Sequence, residues 1–305
     1  MSVRLGMDVG GTAVKLGLVT AEGAVTARAS VPFNPAQCFE EAAGAMCTAA
    51  ARLLGDRKPE AVGIATPGYA DPSTGILIDG SNNVPALRGY SLPAFVAQRF
   101  GAPAFIDNDG TCATLGEMRF GAGRPFDRFV LITIGTGIGG GVVVDRQIVT
   151  GTGGMPAEIG ALCLDPDGPT NYSGIPGTFE RLASAAAFVE WYKGRSGRRD
   201  ASSAEDVLRL AACRDAIAEA AVDGVARTIA QAFGVMTNLL NLEACIIGGG
   251  VSAAGEILLG AVRHHLTRFT WPLLHRNVRV LLAHHGNDAG LIGAAVMAAQ
   301  RLSAR

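Results

Sequence analysis

Several features that would give a chain an obvious destination are missing from this one. No apolar run reaches the roughly 18 to 20 residues that a membrane span requires. Lys and Arg number 26 against 27 Asp and Glu, a formal net charge of −1, so no electrostatic case exists for nucleic acid or a membrane as partner. The start, MSVRLGMDVGG, carries no charged-then-apolar leader and no cleavage site, and the cytoplasm is the expected location. Six cysteines (Cys38, Cys47, Cys112, Cys163, Cys213, Cys245) are scattered, with no pair at CxxC spacing. Buried free thiols are expected in place of disulfides or a metal site. No GxxxxGK(S/T) stretch occurs, which excludes a P-loop.

What is abundant is glycine. The 41 glycines among 305 residues are nearly twice the usual share of about 7 %, and many fall in clusters. In residues 5–19, LGMDVGGTAVKLGLV, an apolar strand ends at Asp8, Gly10 and Gly11 permit a tight turn, and a second strand runs back. The backbone amides and the Thr12 hydroxyl then converge on one small volume. Such a nest suits phosphate oxygens, and Asp8 beside it can hold a hydrated Mg²⁺. A plain glycine hairpin is the alternative, but a buried Asp at a strand end is expensive without a partner. Residues 129–145, FVLITIGTGIGGGVVVD, contain GxGxxG at Gly135, Gly137 and Gly140. A dinucleotide fingerprint needs a helix after the glycines, whereas VVVD reads as a strand, so a second glycine-turn hairpin is expected. Two such hairpins, one opening each half of a chain long enough for two domains, suggest two related α/β domains facing each other across a cleft.

Residues 244–252, ACIIGGGVS, are a strand running into Gly248, Gly249 and Gly250, with a helix expected from about 253. Amides at that helix start suit a nucleotide's phosphate or base face. Between the clusters, residues 61–67 form a buried strand delivering a long polar loop at 68–89, which includes Asn83. Residues 181–194 and 204–240 read as helices, with a polar, basic linker at 194–203. The small-residue helix near the end, GNDAGLIGAAVMAA, is explained by close packing.

Residues 106–117, IDNDGTCATLGE, end a buried strand with Asp107, Asn108 and Asp109 and continue as a helix whose first turn is Gly110, Thr111 and Cys112. A carboxylate held at such a junction can take a proton from a substrate hydroxyl. The same residues also make an Asx turn that caps a helix.

Taken together these motifs resemble the ROK family of sugar kinases, within the superfamily of sugar kinases, actin and heat-shock ATPases. DVGGT at 8–12 and IGTGIGGG at 134–141 resemble its two phosphate motifs, and GIATPGYAD at 63–71 its GxGxPGxxD. EIG at 158–160, GGGVS at 248–252 and GNDAGLIGAA near the end complete a likeness over nearly the whole chain. The resemblance implies an α/β fold of two ribonuclease-H-like (actin-like ATPase) domains flanking a cleft. Residues 1–117, completed by a C-terminal helix at about 290–305, would form the small domain, and 118–289 the large one. It implies ATP-dependent phosphorylation of a hexose, typically at the 6-hydroxyl, with Asp109 as general base. Asn83, Asn108, Glu158 and Glu180 would bind the sugar, since carboxylates and amides suit vicinal hydroxyls. Asp8, Gly10, Gly11, Thr12, Lys15, Gly135, Thr136, Gly137, Gly248, Gly249 and Gly250 would hold ATP, and Asp8 the Mg²⁺ through water. GGTAVK at 10–15 also resembles the GGSGIK of polyphosphate-using glucokinases. A homodimer is implied, as is a sugar partner.

The departures matter too. Family members commonly carry a structural zinc on one His and three Cys, and those positions here are Ala161, Asn171, Ser173 and Thr178. No zinc is expected, and Ala161 leaves room for a substituted or 1-linked hexose where the family's histidine approaches C1 and C2. A sugar-responsive regulator and a catalytically silent sugar-binding protein are the alternatives. The family's regulators carry an N-terminal helix-turn-helix, whereas this chain begins at the phosphate motif. Retention of Asp8, Thr12, Asn108 and Asp109 speaks against decay.

Overall fold

The computed structural model describes residues 3–198 and 200–304; Met1, Ser2, Arg199 and Arg305, where parts of the start, linker and end discussed above fall, lie outside them. In chain order the elements are β1 (Arg4–Val9), β2 (Ala13–Val19), β3 (Val25–Pro32), α1 (Phe39–Leu54), β4 (Val62–Thr66), β5 (Tyr69–Ala70), β6 (Leu77–Asp79), α2 (Leu92–Phe100), β7 (Ala104–Asn108) and α3 (Asp109–Phe120). Then come β8 (Phe129–Ile134), β9 (Ile138–Val144), β10 (Gln147–Ile148), α4 (Phe179–Ala183), α5 (Ala185–Ser196), α6 (Ala204–Ala212), α7 (Ala216–Leu240), β11 (Ala244–Gly248), α8 (Glu256–Leu266), α9 (Pro272–His275), β12 (Arg279–Leu282) and α10 (Ala289–Ser303). They gather into two compact units, one of residues 3–124, 148–157 and 288–304, the other of 125–147 and 158–287.

Each unit is built on a five-stranded sheet of the same order. The first runs β3-β2-β1-β4-β7 and the second β10-β9-β8-β11-β12, so the first-formed hairpin lies beside two later parallel strands in both. Where β1 to β3 pair antiparallel, a short turn suffices; the parallel partners β4 and β7 need helical crossovers. Period-two alternation turns Leu5, Met7 and Val9 towards a core shared with Phe39, Met46 and Cys47 of α1 and Val96 of α2.

The opposite face carries glycine instead. Gly17, Gly6 and Gly63 stand in register across β2, β1 and β4. A Cβ on Gly6 would strike the Leu291 carbonyl, one on Gly63 the Ala294 carbonyl, and one on Gly17 would lie 2.5 Å from a Leu291 methyl. The three glycines thus form a groove in which α10 lies with its backbone against the sheet. On its far side α10 meets α3 as closely, because a Cβ on Gly293 would strike the Cys112 carbonyl and one on Gly116 would stand 2.6 Å from that of Ala289. Arginines cover both exposed parallel edges: Arg301 donates to the Ile106 carbonyl of β7 at 2.8 Å and Arg263 to the Val280 carbonyl of β12 at 2.9 Å.

Some boundaries differ from expectation. The strand β7 runs on through Asn108, so α3 starts at Asp109. The helix expected from about 253 begins at Glu256, because Gly255 takes φ +57° and ends the 3₁₀ turn of Gly250–Ala254. The expected linker loses its first residues to α5, whose last turn gains from Lys193 and Arg195 beside the negative helix end. All six cysteines are free, but Cys38, Cys163 and Cys213 are exposed where burial was expected. Among the described residues no helix is long and apolar enough to cross a membrane.

Candidate active site

In the first unit, β1 delivers Asp8 just before the turn of residues 10–12. Gly10 N–H closes the turn on the Ala13 carbonyl at 3.0 Å. The amides of Gly11 and Thr12 find no acceptor among the described residues, so they remain available to an oxyanion. Lys15, the register partner of Asp8, brings its Nζ to 3.3 Å from Asp8 Oδ2. Burial pushes the Asp8 carboxyl above its ordinary range, Lys15 opposes that, and Asp288 adds to it. Asn83 sits beside the turn, since a Cβ on Gly11 would stand 3.1 Å from the Asn83 Cβ. These features fit what a phosphate chain and a hydrated cation require.

The junction of β7 and α3 places the carboxylates. Asn108 is the N-cap of α3, its Oδ1 accepting from Thr111 N–H at 3.1 Å, while its Nδ2 donates to the Gly68 carbonyl at 3.1 Å. One N–H and one lone pair of that amide are left over. Asp109, the first residue of the helix, accepts from Gly110 N–H at 2.8 Å. The neighbouring Asp107 is fastened to Arg301 at 2.5 Å and accepts from Asn108 N–H at 2.8 Å. Its carboxyl is nonetheless raised, burial outweighing Arg301. Sequence reasoning missed Arg301, which lies 194 residues away and carries no local signal. The wholly buried Cys112 is pushed well up by burial, then by Asp107, Asp109 and Asp8, so this thiol is no nucleophile.

In the second unit, the turn of residues 135–137 repeats the device. Antiparallel β8 and β9 flank it, so the strand expected after the glycines is there. Gly135 N–H bonds to the Gly137 carbonyl at 2.9 Å, and the amides of Thr136 and Gly137 have no acceptor among the described residues. A Cβ at Gly135 would meet nothing within 4 Å, whereas one at Gly137 would stand 2.5 Å from the Glu180 carboxylate. Gly249, at φ +78°, is packed on the backbone of Ile134, so the third cluster adjoins the second, and the position above Gly250 is open.

Glu180 lies in the first turn of α4, capped by Thr178, and accepts from Ile138 N–H at 2.9 Å. Glu158 begins the 3₁₀ turn Ile159–Ala161; desolvation and then the Glu180 charge raise its carboxyl. The two carboxylates therefore form one acidic locus around Gly137 and Gly160, as Gly160 also abuts Glu180. At the positions where the family has zinc ligands, hydrogen bonds close the loop. Asn171 accepts from Ser173 N–H at 2.9 Å and Ile175 N–H at 3.0 Å, Thr178 caps α4, and Gly177 bonds to Leu164, Asp165 and Pro169. Among the described residues no group of three or more His, Cys, Asp or Glu could hold a metal ion.

Comparison with known proteins places this geometry. The family model described as ROK family matches residues 4–301. The chain is 32 % identical over 310 residues to a glucokinase of Thermotoga maritima, covering 98 % of each. It is 30 % identical over 300 residues to an N-acetylmannosamine kinase of Escherichia coli, covering 96 % of this chain and 97 % of that one. The crystal structure of a ROK family glucokinase from Streptomyces griseus in complex with glucose and AMPPNP superposes with a TM-score of 0.87 at 32 % identity, covering 98 % and 100 % of the two chains. The repeated sheet order is accordingly that of the actin-like ATPase fold. With the match extending from β1 to α10, the chain belongs to the ROK family, and within it to the hexose kinases.

Proposed function

We propose that this chain transfers the γ-phosphoryl group of ATP to the 6-hydroxyl of a hexose or hexose derivative, with Asp109 as general base. The observation that carries the reading is the anchorage of Asp109 at the first residue of α3, behind an N-cap that is itself tied to Gly68. A base held this still can meet a hydroxyl in line for attack. Asn108, Asn83, Glu158 and Glu180 receive the sugar's other hydroxyls. ATP, when bound, supplies the phosphoryl group, and Mg²⁺ offsets its charge. The turns at 10–12 and 135–137 offer their unpaired amides to phosphate oxygens, the open position above Gly250 receives the nucleoside with Gly248 and Gly249 placing it beside the second turn, and Asp8 holds the cation through water. Lys15 is already engaged with Asp8, and ATP is the donor we assign.

The small Ala161 beside Glu158 supports a hexose with a substituent at C1 or C2, and the hydrogen-bonded loop at 161–178 supports a fold that needs no zinc. ADP release measured with a panel of sugars tests these assignments. Asp109→Asn is expected to lower kcat by about 10²- to 10⁴-fold, and undiminished turnover would remove Asp109 from its role. Unmodified glucose far ahead of every substituted hexose in kcat/KM would refute the enlarged pocket. Stoichiometric zinc in the purified protein would refute the metal-free loop. The protein is proposed to act as a homodimer.

A further inference from the structure

The glycine turns of the second unit lie at the C-terminal ends of its parallel strands. At the N-terminal ends of β8, β11 and β12 there is a separate cavity of about 600 Å³, within the roughly 300 to 1,000 Å³ common for small-molecule sites. Most of the charges around it are already matched. Arg128 pairs with Asp145 at 2.6 Å, Arg146 with Asp127 at 3.6 Å, and Glu243 accepts from the amides of Asp127 and Arg128 at 2.7 and 2.9 Å.

What is left unmatched is of one kind. Arg279, Asn241 and Asn277 line the cavity and are exposed; among the described residues the Arg279 guanidinium has no ion pair, and the two side-chain amides make no hydrogen bond. A guanidinium fork fits a phosphate or carboxylate bidentately, and amides both donate to and accept from hydroxyls. Phe126 and Leu242, both buried, are the apolar residues that help line the cavity's floor. Two of the four non-glycine residues in the left-handed region among the described residues line it: Asp145, in the turn between β9 and β10, and Asn241, the C-cap of α7.

We propose that this cavity is a second ligand site, binding a hexose phosphate with its phosphate on Arg279 and its hydroxyls on Asn241 and Asn277. The enzyme's own product has this chemistry, so the site provides feedback; only that last step rests on the kinase reading above. Calorimetric titration of the intact chain with glucose 6-phosphate tests it, with inorganic phosphate as the second probe. The wild type is expected to show one more site per chain than Arg279→Ala, and Asn277→Ala to weaken that site at least threefold. Both variants should keep kcat and KM at negligible product, while the part of product inhibition that is not competitive with sugar disappears. Equal stoichiometry and affinity in wild type and Arg279→Ala would overturn the proposal. Inorganic phosphate filling the extra site as tightly as glucose 6-phosphate would overturn the assigned hydroxyl contacts. The titration needs no turnover, so failure of the cavity and failure of the kinase reading give different results.

Discussion

At the scale of single residues, the Asp107–Arg301 pair shows how a neighbour of Asp109, the proposed base, is kept in place. Burial holds the Asp107 carboxyl above its ordinary range even with Arg301 opposing. A carboxyl raised in the fold contributes stability below its unfolded pKa and loses it as pH rises through the folded one. Replacing Arg301 removes the cation that opposes burial and raises that carboxyl further. Arg301→Gln keeps a donor for the Ile106 carbonyl, so its cost isolates the charge. We expect a loss of about 1–2 kcal/mol at pH 8, modest because the Arg301 side chain is 39 % exposed and screened. The loss should shrink as pH falls and Asp107 protonates. Thermal denaturation across pH 4.5 to 8 reads this directly, and a pH-independent loss would contradict it.

At the scale of elements, the contact between α3 and α10 decides where Asp109, the proposed base, sits. Gly293 has no room for a methyl group because the Cys112 carbonyl occupies the position. Gly293→Ala is expected to cost about 1–3 kcal/mol through overpacking and to lower kcat, since α3 moves with Asp109 on it. Gly44 in α1 meets nothing within 4 Å, so Gly44→Ala should instead stabilise by about 0.5–1 kcal/mol. Denaturant titration and ADP release on both variants separate the two cases. The elements themselves were largely legible in the sequence. Turn glycines and β-branched runs act locally, and both hairpins lie where those signals put them. Asn108 illustrates how the two readings of one motif combine, as its amide caps α3 and still has a donor and an acceptor to spare. Illegible were facts made by distant chain: Arg301 on Asp107, the glycine row under α10, and Arg279, whose lack of an ion pair among the described residues depends on where the other charges fall. The left-handed Gly255 lay in a plain run of small residues, which is why α8 was expected too early.

At the scale of the whole molecule, one surface of the second unit is exposed and apolar, and the proposed homodimer can be tested there. Leu239 of α7 and Trp271 are 78 % and 68 % exposed, with Val235 and Leu273 also exposed. Asn238 binds them into one patch, accepting from Trp271 N–H at 2.8 Å and donating to the Phe269 carbonyl at 2.8 Å. An apolar patch of this kind can pair with its own copy across a twofold axis. Trp271→Glu with Leu239→Glu is expected to turn a dimer into monomers in sedimentation equilibrium. A wild type that sediments as one chain at micromolar concentration would refute the dimer. The glycine groove beneath α10 has a further consequence, one of timing. Between Asp109 and Ala289 the ribosome adds roughly 180 residues, on the order of 10 to 35 s of synthesis at about 5 to 20 residues per second. Until α10 is made, the glycine strip on β1, β2 and β4 lacks the helix that fills it, and α3 lacks the neighbour that it packs against. The turn at Gly10 and all five strands of its sheet are made well before α10, the helix that covers them.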